Sequence, residues 1–469
     1  MLRLTQPVRT ANGTVHRRTA LLAGSLPWFP GLSHLLRAEN AVGSASTGRS
    51  LINIHLDGGP PHLDTIDPKP EAPAEIRGEF GTIETQLPGF RVSELLPRTA
   101  AIADRLVFIR SLVGSAGAHD AFQCQSGYRA ADLKSFGGRP AAGSVISHLL
   151  AQATDSAPSF IDLMQGRPLV RKSARPGFLG PAAQPFRPDI SRMFHRELET
   201  GMKGELARLG TDHSISLTLN PLLSEGRVNQ RQQLLRQLDR LQRQMDSSGM
   251  MDAMDQFDRQ AAGILMSGSL AEALDLERED PSILRRFTAP GSEQGRQSTT
   301  SEGPDSVRKF LLARRLVQAG ARCVSVSISD FDTHSDNFPR MRNLLPIVDF
   351  GLHALILDLE EQGLLERTTI VVWGEFGRTP RIDPKTGGRH HWPAVGPAVI
   401  AGGGLRTGVV LGETDRTGDS VRSRPVHYKD VFATLFHTLG IDARTTTLTD
   451  PQGRPQFILD EGEVISEII

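Results

Sequence analysis

The 469-residue chain reads as an α/β protein built on a parallel sheet, with a helical insertion in its middle. Three observations carry that reading. Short apolar runs lie near both ends of the chain, and most are stopped by loops rich in carboxylates, glycine or imidazoles. In the C-terminal third, helical spacing and strand-like runs alternate, which is the rhythm of a parallel sheet. Between residues 190 and 290 this texture gives way to amphipathic helical patterns.

Leu51–Leu56 (LINIHL) is an apolar run stopped by Asp57 and the GGPP of residues 58–61, the pattern of a buried first strand entering a tight loop. Function is expected at that loop. Leu106–Ile109 reads as a second strand. The spacing predicts a helix over Val307–Ala319, stopped by Gly320, and then a strand over Ala321–Ile328. Val348, Leu352, Leu355 and Leu359 recur at helical spacing within Leu345–Gln362, and Gly363 ends that run. Thr369–Trp373 and Ala398–Ala401 follow as strands, and a closing helix spans Lys429–Thr438 with Gly440 beyond it. In the middle of the chain, Leu234, Leu238, Leu241 and Met245 form an apolar stripe, with Arg231, Arg236, Arg240 and Arg243 elsewhere on the helix. A second helical stretch runs from Met251 to Leu276. Residues 290–304, rich in Ser, Thr, Gly and Gln, read as a surface loop.

Fifty-three basic and 53 acidic residues leave no net charge, so no global field exists to hold nucleic acid or an anionic membrane. No run after residue 50 approaches the ~20 apolar residues a membrane span requires. Cys124 and Cys323 are the only cysteines, which excludes a disulfide framework and a Cys-rich zinc or iron–sulfur site; two buried thiols are expected. The N-terminus is different. Arg17 and Arg18 lead into a weakly apolar stretch ending near Leu36, which resembles a twin-arginine (Tat) export signal with a cleavage region between Ala38 and Ser46.

Divalent metals in hydrolases need carboxylate oxygens and imidazole nitrogens converging from separate loops. The chain offers Asp57, Asp64 and Asp67 after the first strand, and Asp330, Asp332 and His334 after the strand ending at Ile328. Glu375 follows the strand ending at Trp373, and His390 and His391 come further on. In open α/β folds such loops gather at one sheet edge. Gly58-Gly59 and Gly402–Gly404 permit close backbone approach to a ligand, yet neither matches a dinucleotide fingerprint or a Walker A loop. Arg378 is placed either to pair an anionic group bidentately or to bridge a nearby carboxylate.

The segments GGPPHLDTIDPKP (residues 58–70), RGEF (77–80), Asp332-Thr333-His334, EFGRTP (375–380) and His391-Trp392-Pro393 together resemble the bacterial family named domain of unknown function 1501. The resemblance runs from about residue 48 to the C-terminus and includes the Tat-type start. It implies a remote branch of the alkaline phosphatase and sulfatase superfamily, and therefore a three-layer αβα sandwich. Residues 1–47 would be signal and linker, and residues 190–290 a helical insertion or cap.

Enzymes of that superfamily bind two metals through an Asp after the first strand, an Asp-x-x-x-His unit, an Asp-His pair and a final His. By resemblance Asp57 takes the first place, Asp330 and His334 the second, and His391 the last. Glu375-Phe376 stands where the Asp-His pair would be, which removes one imidazole and shifts the second site toward a harder ion. The narrower family's motif contains Asp332 rather than Asp330, so both stay candidates. The nucleophile expected after the second strand is Ser111, Ser115 or His119, with Thr65 a fourth option. No Cys-x-Pro-x-Arg motif is present, so formylglycine chemistry is not expected.

The function so implied is an exported, metal-dependent hydrolase of phosphate or sulfate esters, acting on a small-molecule or glycan ester and not on nucleic acid. Its divalent ion would be Zn, Mn, Mg or Ca, with Arg378 as an oxyanion clamp and the Tat machinery as an export partner. The alternative is a non-catalytic periplasmic or surface binding protein that keeps the sandwich.

Overall fold

The computed structural model describes residues 8–10, 13–15, 48–119, 121–129, 138–152, 155–165, 173–190, 193–194, 268–289 and 300–469. The chain forms two units, residues 1–47 and residues 48–469. In the first, Val8–Thr10 and Gly13–Val15 pair as an antiparallel ribbon. The twin-arginine segment, the Leu234–Met245 stripe and most of the loop at 290–304 lie outside the described residues. The described end of the middle region carries two short helices, Ser269–Leu274 and Pro281–Arg286.

The second unit is organised by one eight-stranded sheet. Its strands are β1 (Ser50–Leu56), β2 (Leu106–Val113), β3 (Phe160–Leu163), β4 (Cys323–Ile328), β5 (Thr368–Trp373), β6 (Gly396–Gly402), β7 (Val409–Leu411) and β8 (Val426–His427). They lie in the order β7-β2-β6-β5-β1-β4-β3, with β8 also paired to β2. Four longer helices cover it: α1 (Ala142–Leu150), α2 (Arg308–Gln318), α3 (Asn337–Glu361) and α4 (Tyr428–Thr438).

Alternation along the strands builds two cores, one on each face. Ile52, Ile54 and Leu56 of β1 share a cluster with Val324 and Val326 of β4, Leu311 and Leu312 of α2, and Leu352 and Leu355 of α3. Leu51, Cys323, Val371 and Trp373 belong to the opposite cluster, with Val145 and Ile146 of α1 and Val431, Phe432 and Leu435 of α4. The result is the three-layer α/β sandwich expected from the sequence. Because both faces are covered, the central strands read as nearly continuous apolar runs. Cys124 and Cys323 are both buried free thiols. No described helix is long and apolar enough to cross a membrane.

Two expectations are corrected. The sheet is mixed, because β6 runs antiparallel to both β5 and β2. Residues 374–395 contain no crossover helix. A chain that leaves β5 at one rim and does not cross the sheet must re-enter from that same rim, which reverses the next strand. The long helix begins at Asn337 rather than Leu345, and Pro346 lies inside it. Burial of Met341, Leu344, Leu345, Ile347 and Val348 on the core side offsets the roughly 3 kcal/mol that an interior proline costs.

The packing of α3 on the sheet is testable at Leu355, which is fully buried. Leu355→Ala is expected to lower the unfolding free energy by about 2–5 kcal/mol in urea titration, and a loss under about 0.5 kcal/mol would place α3 outside the core.

Candidate metal centre

β1, β2, β4 and β5 point the same way, so the residues following them gather at one rim. Asp57 follows β1, residues 114–119 follow β2, Asp332 and His334 follow β4, and the 374–395 excursion follows β5. That excursion folds back on itself as a two-residue ribbon, pairing Gly377 with Trp392 and Arg378 with His391. Arg389, fully buried, anchors it to the loop after β1. Its Nε donates to Asp64 Oδ2 at 2.9 Å and its Nη2 to Asp64 Oδ1 at 3.0 Å. The same guanidinium also donates to the carbonyls of Ile76, Thr379 and Pro380. A buried charge held this completely fixes the backbone beside His390 and His391.

Four donors converge there: His119, Asp332, His334 and His391, with one ligand atom of each lying within 4.8 Å of all the others. Asp332 is the hub. Its Oδ2 lies 3.2 Å from His119 Nε2, and its Oδ1 lies 3.1 Å from His334 Nε2 and 3.5 Å from His391 Nε2. His334 Nε2 and His391 Nε2 are 3.0 Å apart. A tetrahedral ion with bonds of about 2.0–2.1 Å has ligand-to-ligand edges of about 3.3–3.4 Å, and the separations around Asp332 lie close to that length. The side chains of His119 and Asp332 are 17% and 12% exposed and that of His334 is 46% exposed, so the cluster opens to solvent on the His334 side.

Each ring has its far nitrogen engaged. His391 Nδ1 lies 3.1 Å from the Gly117 carbonyl, which can only accept, so Nδ1 carries a proton and Nε2 is the nitrogen that would turn its lone pair to a bound cation. His119 Nδ1 lies 3.2 Å from Glu375 Oε1. His334 Nδ1 lies 2.8 Å from His390 Nδ1, whose Nε2 lies 3.1 Å from Asp383 Oδ2. Outer partners of this kind orient metal-binding imidazoles. Phe376, at the position where the superfamily pattern has an imidazole, is fully buried and stacks on the His391 ring at a centroid distance of 4.3 Å.

A second group of donors, His55, Asp57 and Glu375, is buried behind the first. His55 Nε2 lies 3.4 Å from Glu375 Oε2, and Glu375 Oε1 also accepts the Gly58 N–H at 3.0 Å. His119 therefore stands between the two groups, with one nitrogen facing each.

Desolvation pushes the Asp332 carboxyl up, but hydrogen bonds from His119 and His391 and the charges of His119 and Arg378 outweigh it and hold it well below the usual carboxylate range. Burial lowers His119, yet its bonds to Asp332 and Glu375 prevail and its pKa is pushed up to about 9. At His334 burial, with Arg378 and the neighbouring histidines, outweighs Asp332 and brings the pKa down to about 4. Glu375 is also lowered: burial raises it, and the hydrogen bond from His119 with the charges of His55 and His119 more than offsets that. Asp332 and Glu375 are thus held ionised and His334 neutral, the protonation states in which each can offer an electron pair to a cation.

The residues singled out in the sequence divide. Asp332, His334 and His391 meet in the open cluster, and Asp57 and Glu375 in the buried one. Asp330 joins neither: it sits in a turn with φ of +82°, and its carboxylate is taken by Arg340 at 2.9 Å and by the Ser301 N–H at 3.0 Å. Ser111 Oγ donates to the Arg424 carbonyl at 2.6 Å, Ser115 Oγ to the Glu375 carbonyl at 2.6 Å, and Thr65 Oγ1 to Pro61 O at 2.9 Å. Arg378 is not exposed to a substrate anion. Its fully buried guanidinium donates to the carbonyls of Gly58, Gly59 and Arg389 and, at 2.6 Å, to Asp332 Oδ1. It ties together the loop after β1, the loop after β4 and the histidine segment. The two glycines after β1 likewise face protein: a Cβ at Gly58 would strike the backbone of Asp332, and one at Gly59 the ring of Phe376.

Two members of these groups, His119 and His55, stand outside the ligand set read from the sequence. His119 is read there as a candidate nucleophile, and its signal is an imidazole in the Gly-rich loop that follows a strand. His55 lies inside a strand, and its signal is a polar residue two positions before Asp57 in an otherwise apolar run.

Over residues 48–469 the sequence matches the family described as "Protein of unknown function (DUF1501)". The chain belongs to that family. No protein of curated function matches the chain. Among solved structures it is similar to the lipoteichoic acid synthase LtaP from Listeria monocytogenes, with 9% identity, coverage of 85% of this chain and 73% of that one, and a TM-score of 0.33. Against the PsFucS1 sulfatase from Pseudoalteromonas sp. the identity is 12%, the coverage 89% and 74%, and the TM-score 0.34. Against the phosphonate monoester hydrolase of Agrobacterium radiobacter the identity is 14%, the coverage 89% and 76%, and the TM-score 0.32.

Removing the Arg378 tie leaves three carbonyls and Asp332 without their buried donor. Arg378→Leu is expected to cost about 3–5 kcal/mol of unfolding free energy. A loss under about 1 kcal/mol in chemical denaturation would show that the tie does not hold the rim together.

Proposed function

We propose that this protein is an exported, metal-dependent hydrolase of phosphate or sulfate esters whose ion is held by His119, Asp332, His334 and His391. The observation that carries the reading is the convergence of three Nε2 atoms on one carboxylate, with every far nitrogen engaged. Three imidazoles and one carboxylate favour Zn or Mn over Ca and Mg, which prefer oxygen donors. A divalent ion bound there would polarise a nonbridging ester oxygen and make water a better nucleophile at neutral pH.

The chain's own residues do the rest. Arg378 and Arg389 hold the donor loops in register before substrate arrives, so little reorganisation is left to the reaction. The open side at His334 admits the ester. The hydroxyls of Ser111 and Ser115 are directed at backbone carbonyls, so the attacking group is assigned to water: its oxygen bonds to phosphorus or sulfur as the alcohol leaves. The chemical class rests on the motif likeness to the alkaline phosphatase and sulfatase pattern, and export on Arg17, Arg18 and the apolar stretch after them. The substrate class we propose is a small-molecule or glycan ester.

The same serine geometry favours one alternative, a binding protein that keeps the cation for recognition and performs no chemistry. A single experiment separates the two. Purified protein is assayed on aryl phosphates and aryl sulfates with Zn, Mn, Mg or Ca. Turnover with Zn or Mn is expected, along with a melting temperature that falls on adding EDTA. His334→Ala is expected to lower turnover by more than the 10- to 100-fold typical of outer-shell changes, that is, by over about 100-fold. Absence of turnover with every metal, with melting indifferent to EDTA, would sink the hydrolase reading. Bound metal and affinity for a sulfated glycan without turnover would select the binding protein.

A further inference from the structure

Glu375 touches the open cluster only through another side chain, and the way it does so is specific. Its Oε1 is fixed by the Gly58 N–H at 3.0 Å and faces His119 Nδ1 at 3.2 Å, while the opposite nitrogen of that ring faces Asp332. Its backbone carbonyl accepts the Ser115 hydroxyl at 2.6 Å, and Ser115 Oγ in turn accepts the Gly117 N–H at 3.0 Å. The loop after β2 is therefore fastened to Glu375 at two points, through a main-chain oxygen and a carboxylate. That same loop offers the Gly117 carbonyl to His391 Nδ1. One residue at the end of β5 thus governs the ring orientation of His119 directly and supports that of His391 through the loop. The side chain is 2% exposed, as its place behind the donors requires.

We infer that Glu375 is a positioning residue and not a metal ligand: it and Ser115 anchor the 114–119 loop, and its carboxylate holds the proton of His119 on Nδ1 so that Nε2 faces the cation. A carboxylate, an imidazole and a cation in line is a general arrangement that fixes the tautomer and raises the basicity of the ligating nitrogen. The Ser115 hydroxyl then has a defined task. The inference rests on the metal reading of the His119, Asp332, His334 and His391 cluster, and it concerns how that cluster is built rather than what it hydrolyses.

The test needs no substrate. Full-length protein and the variants Glu375→Gln, Ser115→Ala and His119→Ala are stripped of metal and titrated with Zn2+ against a chromophoric chelator, and Co2+ absorption spectra are recorded in parallel. Wild type is expected to bind one ion. Glu375→Gln keeps an oxygen that can accept from His119 but removes its charge, so it should still bind one ion, about 10- to 100-fold more weakly, with the Co2+ bands of the wild-type donor set. Ser115→Ala should weaken binding in the same direction. His119→Ala should alter the Co2+ bands as well as the affinity. A merely structural Glu375 would lower the melting temperature of the metal-free protein and leave Zn2+ affinity unchanged, which would overturn the inference while leaving the hydrolase reading standing. Two ions in the wild type with one lost in Glu375→Gln would also overturn it, by making Glu375 a ligand alongside His55 and Asp57. A wild type that binds no Zn2+ or Co2+ would sink both.

Discussion

The rim of this protein depends on the carboxylate of Asp332, mostly withdrawn from water and surrounded by three imidazoles and a guanidinium. An isolated carboxylate in that position would be costly to bury. Arg378 removes much of the cost, and in doing so spends its remaining donors on the carbonyls of Gly58, Gly59 and Arg389. Satisfying one charge therefore fixes the backbone of three separated stretches of chain. The imidazoles are then brought to the carboxylate by loops that have little freedom left.

Topology makes this convergence available. The reversal of β6 keeps residues 374–395 at the rim, where a crossover helix would have carried the chain away. Within that excursion the ribbon places Arg378 opposite His391, and the Arg389–Asp64 pair fastens the histidines to the loop after β1. The cluster is thus the product of a sheet whose order places β2, β5, β1 and β4 near one another and of two buried arginines that bind their loops together.

Much of this was legible in the sequence. Apolar runs stopped by charged loops located β1, β4 and β5, and the motif resemblance singled out Asp332, His334 and His391. What was not legible depends on proximity through space. His119 follows β2, which is next to β6 in the sheet and far from β4 in the chain, so spacing alone gave it no link to Asp332. Arg378 reads as an anion clamp because it stands beside the candidate ligand Glu375 in the sequence; its burial among backbone carbonyls is a tertiary fact. Asp330 and Asp332 were indistinguishable by type, and only the turn at Asp330, with the partners Arg340 and Ser301, separates them.

The most direct measurement is the metal K-edge absorption spectrum of protein reconstituted with Zn. The structure leads to a first shell of nitrogen and oxygen only, at about 2.0–2.1 Å, with the outer scattering of three imidazole rings and a population of one ion per chain. A shell of oxygens alone, or a spectrum no different from that of zinc in buffer, would contradict the claim that His119, Asp332, His334 and His391 form one metal centre.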